Sequence, residues 1–100
     1  MEEENTLIEF SITPVGSGEH VSDHVARCTR LVRESGIKSE LHAMGTILEG
    51  DLEKGLDVIK ECLKEVLKDS PRATTTIRID ARSVGESSME KSVKSVEEKL

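Results

Sequence analysis

The sequence predicts an α+β domain with the element order β-α-β-β-α-β and an extra C-terminal helix. Three observations carry that prediction. Apolar residues recur at every second position in Leu7–Pro14 and in Ala73–Arg82, the period of a half-buried strand. Between these stretches they recur twice at helical spacing, once before and once after a central pair of short runs. That pair meets at Met44-Gly45, where glycine relaxes the backbone for a bend or a close approach.

In the first strand Ile8, Phe10 and Ile12 point one way, and Glu9, Ser11 and Thr13 the other. Pro14 has no N–H to donate and is expected to end it, ahead of the turn-rich Val15-Gly16-Ser17-Gly18. The first helix is expected to start near Ser22, a hydroxyl cap, with Val21 and Ala26 placed as a hydrophobic staple. Val25, Cys28, Leu31 and Val32 form its apolar stripe, and Gly36 stands where a left-handed residue would close it.

Residues 37–43 and 46–49 supply a hairpin. Asp51 then caps a second helix whose stripe includes Leu52, Leu56, Ile59, Cys62, Leu63, Val66 and Leu67. Gly55 costs about 1 kcal/mol in a helix interior, which points to close packing on the sheet. Asp69-Ser70-Pro71 breaks the helix.

In the last strand Thr75, Ile77 and Ile79 oppose Thr74, Thr76, Arg78 and Asp80. Ser87 with Glu90 reads as a capping box for a final helix bearing a narrow stripe of Met89, Val93, Val96 and Leu100. So short a helix is marginal alone and must dock. Right-handed crossovers put both main helices on one face of a four-stranded antiparallel sheet, the ferredoxin-like arrangement. Residues 1–6 read as a flexible N-terminus and 7–100 as one domain.

The formal charge of −6 disfavours nucleic acid, whose phosphates need a basic face. No apolar run approaches the ~18 residues of a membrane span. The acidic start lacks the basic and apolar regions of a signal peptide, so a cytoplasmic location is expected. Hydrophobic residues make up only 35% of the chain and Phe10 is its one aromatic, so a partner copy is expected to cover part of the sheet. Cys28 and Cys62 fall on apolar helical faces and read as buried, reduced thiols.

This fold hosts unrelated functions, so residues must decide. Base stacking by an RNA-recognition sheet needs exposed aromatics, and Phe10 faces inward. Paired cysteines for a metal carrier are absent, as is an arginine in the loop after the first strand for an acylphosphatase. His20 and His24 have the spacing of paired metal ligands, but His20 precedes the helix, and two solvated histidines are expected. No serine has a nucleophile's context, and no catalytic constellation is visible. What remains is a small-molecule pocket drawn from Ser17, Thr46, Glu49, Arg78, Asp80 and Arg82. Each has a plainer reading: Ser17 as a turn former, Glu49 as a solvated strand end, and the last three as a surface charge ladder.

Four segments in order carry a resemblance: residues 12–18 (ITPVGSG), 44–50 (MGTILEG), 75–82 (TTIRIDAR) and 89–93 (MEKSV). Together they resemble the YkoF-like thiamine-binding family along nearly the whole chain, from Leu7 to Leu100. Serine stands at position 17 in place of the family's threonine, and Ala43 in place of a proline. The resemblance implies a ferredoxin-like fold and assembly into homodimers or homotetramers through sheet faces. It also implies binding of thiamine or its hydroxymethylpyrimidine portion, as ligand and not as cofactor, without catalysis; no metal site is expected from the residues. Glu49 or Asp80 would accept from the exocyclic amine or balance the thiazolium, and Thr46 and Ser17 would supply hydroxyls. Met44 would offer a soft wall, with Arg78 and Arg82 orienting carboxylates or meeting a phosphate. Two other readings stand beside it: a regulatory module for another metabolite such as an amino acid, and a structural oligomeric subunit.

Overall fold

A computed structural model describes residues 6–16, 21–85 and 88–100. Its elements are β1 (Thr6–Val15), α1 (Val21–Glu34), β2 (Lys38–His42), β3 (Gly45–Gly50), α2 (Leu52–Leu67), β4 (Arg72–Ala81) and α3 (Met89–Glu97). The four strands form one antiparallel sheet in the order β2-β3-β1-β4. This is the ferredoxin-like arrangement with an added C-terminal helix.

Register fixes the two faces. Ile8 lies between Leu48 and Ile79, and Phe10 between Thr46 and Ile77, so these side chains share the face toward α1 and α2. Ile8, Phe10 and Leu48 there join Val32, Ile37, Val58, Ile59 and Cys62 in the core. The opposite face carries Leu7 between Glu49 and Asp80, and Glu9 between Ile47 and Arg78. Beyond Glu49 and Ile47 come Lys38 and Glu40 of β2.

Several boundaries differ from expectation. Thr6 is not in a flexible terminus: it pairs with Gly50 and Ala81 and is buried. Residues 1–5 of that expected terminus lie outside the described residues. Pro14 does not end β1, because past Phe10 only β4 pairs with the strand, and that open edge leaves room for a residue without an N–H. Ser22 stands inside α1, one residue past its start, so it is no cap.

The buried face of α2 is turned from its expected stripe. Gly55, Val58, Ile59, Cys62 and Val66 are buried, while Leu56 and Leu67 are exposed. Gly55 explains the rotation. A Cβ there would lie 2.6 Å from Ile8 Cδ1, so the helix approaches β1 along its glycine. Asp51 does cap this helix, accepting from Glu53 N at 3.0 Å. Gly36 does close α1 with φ +82°.

Ser87 lies outside the described residues, and Ser88 caps α3 by accepting from Lys91 N at 3.2 Å. The residue three beyond this cap is Lys91, so no capping box forms. None of α3 is buried. It docks at one end, where Met89 N donates to Glu49 Oε1 (2.9 Å) and Lys38 Nζ to Glu90 (2.8 Å). That pair holds the Lys38 ammonium above its usual pKa range and the Glu90 carboxyl below it.

Candidate functional site

A two-residue turn, Ala43-Met44, joins β2 to β3, and Gly45 brings the start of β3 against β1. A Cβ at Gly45 would lie 2.6 Å from the Phe10 carbonyl oxygen, so only glycine allows this approach. The hairpin tip therefore reaches past the sheet toward α1. Between tip, sheet and helix lies a half-open cavity of about 210 Å³. Phe10, Ile12 and Thr46 line it from the sheet, and Val25, Cys28 and Val32 from α1. Leu41, His42 and Met44 form its rim at the hairpin, and Val66 of α2 closes the base.

The walls are mostly apolar with few polar groups, the usual make-up of a small-ligand site. Thr46 and His24 are buried there; Met44 is 81% exposed at the mouth. His42 Nδ1 accepts from Met44 N (3.1 Å), and His42 Nε2 lies 3.2 Å from Glu9 Oε2, which braces the hairpin on its outer side. Among the described residues, no carboxylate lines the cavity.

His24 is the residue that spacing misplaced. It is 4% exposed, not solvated, and Arg27 Nη2 lies 2.8 Å from its Nδ1. Its partner in the metal reading, His20, lies outside the described residues, and no group of three metal-binding side chains occurs among those described. The signal was present: His24 precedes Cys28 by four residues and so lies on the apolar stripe of α1. Arg27 in turn pairs with Asp69 and lies 3.9 Å from Glu65 Oε2. The bond to Asp69 raises the guanidinium pKa, and the same bond holds the Asp69 carboxyl below its usual range.

Behind the cavity, Cys28 Sγ lies 3.7 Å from the Cys62 carbonyl oxygen and Cys62 Sγ lies 3.6 Å from that of Cys28. Both cysteines are free. The hydrogen bond to Cys28 and burial push the Cys62 thiol pKa up, so it acts as core filler.

Of the seven residues singled out from sequence, Met44 and Thr46 line this cavity. Ser17 lies outside the described residues. Glu49, Arg78 and Asp80 belong to the opposite face of the sheet, with Glu49 engaged by α3 and Lys38. Arg82 is exposed just past the end of β4. The sheet thus separates the Thr46 hydroxyl and the Met44 thioether from Glu49, Arg78 and Asp80.

Residues 8–97 match the family model described as thiamine-binding protein. The chain belongs to the thiamine-binding protein family. UPF0045 protein MJ1052 of Methanocaldococcus jannaschii is 38% identical over 92% of this chain and 92% of its own length. The crystal structure of MJ1052 superposes with a TM-score of 0.87 over 95% of this chain and 98% of that one, at 36% identity. UPF0045 protein sll0230 of Synechocystis is 34% identical over 93% of this chain and 78% of its own. A Thermotoga maritima structure, described as a candidate thiamine biosynthesis or salvage protein, shares the fold at 20% identity. Its TM-score is 0.80, over 91% of this chain and 97% of that one. The family's name is that of a binding protein, and no helix among the described residues is long and apolar enough to cross a membrane.

Proposed function

We propose that this protein is a non-catalytic binder of hydroxymethylpyrimidine, taken free or as the pyrimidine end of thiamine, in the cavity between α1 and the β2–β3 hairpin. It serves in the cytoplasm in sequestration, delivery or sensing. The observation that carries the reading is the cavity itself: about 210 Å³, apolar, with Thr46 and His24 as buried polar groups. Pockets that enclose drug-sized ligands run to about 300–1,000 Å³, so this one is matched to a single ring.

The apolar lining, with no carboxylate among the described residues, favours the neutral pyrimidine over the cationic thiazolium. In bound thiamine the thiazolium would project past exposed Met44 into solvent. The family to which the chain belongs, and the thiamine salvage description of the Thermotoga structure, point to the same ligand class.

A ligand selective for the folded state raises the melting temperature, and the rise grows with the logarithm of its concentration once that exceeds the dissociation constant. Melting with hydroxymethylpyrimidine, thiamine, thiamine phosphate and amino-acid controls is expected to give a dose-dependent rise for the pyrimidine-bearing compounds alone. A rise with an amino acid instead would move the protein to the class of metabolite-sensing modules. No rise with any of them would leave a structural subunit.

Self-association through the outer sheet face completes this reading. Leu7 and Ile47 are half-buried at the centre of that face, ringed by Glu9, Glu49, Arg78 and Asp80. An apolar centre with a charged rim is the pattern of a subunit interface. Light scattering is expected to give a dimer or tetramer, and Ile47→Asp a smaller mass. A wild-type monomer would reject the assembly.

A further inference from the structure

We infer that His24 is a fixed hydrogen-bond donor of the cavity to the ligand, and that Arg27 and Asp69 are positioning residues that set its tautomer from outside. The inference rests on the cavity being a ligand site.

His24 is 4% exposed and borders two spaces, the cavity on one side and, on the other, a surface cleft shared with Arg27 and Asp69. The cleft side is occupied. Arg27, three residues on along α1, brings Nη2 to 2.8 Å from His24 Nδ1. A guanidinium has donors and no acceptor, so Nδ1 must present its lone pair to it. The proton of the neutral ring is then on Nε2. With the Nδ1 edge turned to the cleft, the N–H edge is the one left for the cavity.

Arg27 is not free to swing away. Its Nη1 donates to Asp69 Oδ2, and Glu65 Oε2 lies 3.9 Å from its Nε. Asp69 follows the C-terminal end of α2, so the relay Asp69–Arg27–His24 ties the two helices together at the cavity wall. The chain thereby fixes the direction of one donor in a mostly apolar site, where the Thr46 hydroxyl is free to rotate.

Such a donor selects ligand chemistry. A single-ring heteroaromatic with an unprotonated ring nitrogen, or a hydroxyl oxygen, meets it with a lone pair. An isosteric ring lacking an acceptor leaves the buried N–H unpaired and binds at least about tenfold more weakly. This is a specificity that apolar walls alone do not supply.

The test starts on ligand-free protein. Two-bond proton–nitrogen correlation NMR of the imidazoles, at a pH where the spectrum reports a neutral ring, is expected to show His24 with its proton on Nε2. Arg27→Met is expected to mix the two tautomers. Arg27→Lys, whose ammonium is also donor-only, is expected to restore the wild-type pattern. Hydroxymethylpyrimidine affinity should fall at least about tenfold in Arg27→Met and Asp69→Asn and recover in Arg27→Lys. These side chains are exposed or half-exposed, so the variants fold. A wild-type ring protonated on Nδ1, or a tautomer unmoved by Arg27→Met, would overturn the relay. The tautomer is read without ligand. A wild-type Nε2–H ring in a protein that fails to bind the pyrimidine would therefore uphold the relay and overturn only the cavity's ligand.

Discussion

Gly45→Ala is expected to lower the unfolding free energy by about 3 kcal/mol, the sum of a steric and a conformational term. The new methyl would stand 2.6 Å from the Phe10 carbonyl oxygen, a contact that a backbone must move to relieve. Phe10 cannot yield easily, because it pairs with Thr46 on one side and Ile77 on the other and is 4% exposed. Overpacking of this kind costs about 1–3 kcal/mol. The backbone at Gly45 has φ +156°, outside the range that L-residues favour, and such strain adds about 1–3 kcal/mol. Against a total of about 5–15 kcal/mol for a small domain the change is large. Urea unfolding of wild type and variant reads it directly. A loss below about 0.5 kcal/mol, the range of ordinary surface substitutions, would mean that β1 and β3 do not approach as described.

Val25→Phe is expected to empty the cavity of ligand while leaving the fold intact. Val25 is 39% exposed on α1 and lines the cavity, so a phenyl ring can enter the void without displacing a fully buried neighbour. The added ring takes the place of the pyrimidine. Hydroxymethylpyrimidine affinity should fall at least about a hundredfold, equivalent to about 2.7 kcal/mol. Stability should stay within about 0.5 kcal/mol of wild type by urea unfolding. Retained affinity in a variant with unchanged stability would place the ligand elsewhere.

Most of the fold was legible because strand period and helix period alternate cleanly along the chain. The parity of Ile8 and Phe10 in β1, and of Ile77 and Ile79 in β4, set the core face without knowledge of any partner. What failed was local. Pro14 reads as a stop unless one knows that β3 leaves that stretch of β1 unpaired. The true face of α2 depends on Gly55 meeting Ile8, a tertiary contact that hydrophobic spacing does not encode.

The site was legible in part, and parity explains which part. Thr46 and Glu49 are three apart in one strand, an odd spacing that puts them on opposite faces of the sheet. Arg78 and Asp80 alternate with Ile77 and Ile79, so they follow Glu49 to the outer face. Thr46 could therefore not have shared one pocket with Glu49, Arg78 and Asp80 within a single chain. Histidine's ordinary polarity makes His24 read as surface, although its position on the stripe of Cys28 marks it as inward, where it is buried. Its pairing with Arg27 follows from their three-residue spacing on a helix.

The most direct test of the cavity as ligand site is calorimetric titration of hydroxymethylpyrimidine into wild type, Val25→Phe and Arg78→Ala. The account predicts binding by wild type and by Arg78→Ala with equal affinity, and none measurable by Val25→Phe. Binding lost in Arg78→Ala and kept in Val25→Phe would contradict it and assign the ligand to the charged outer face of the sheet.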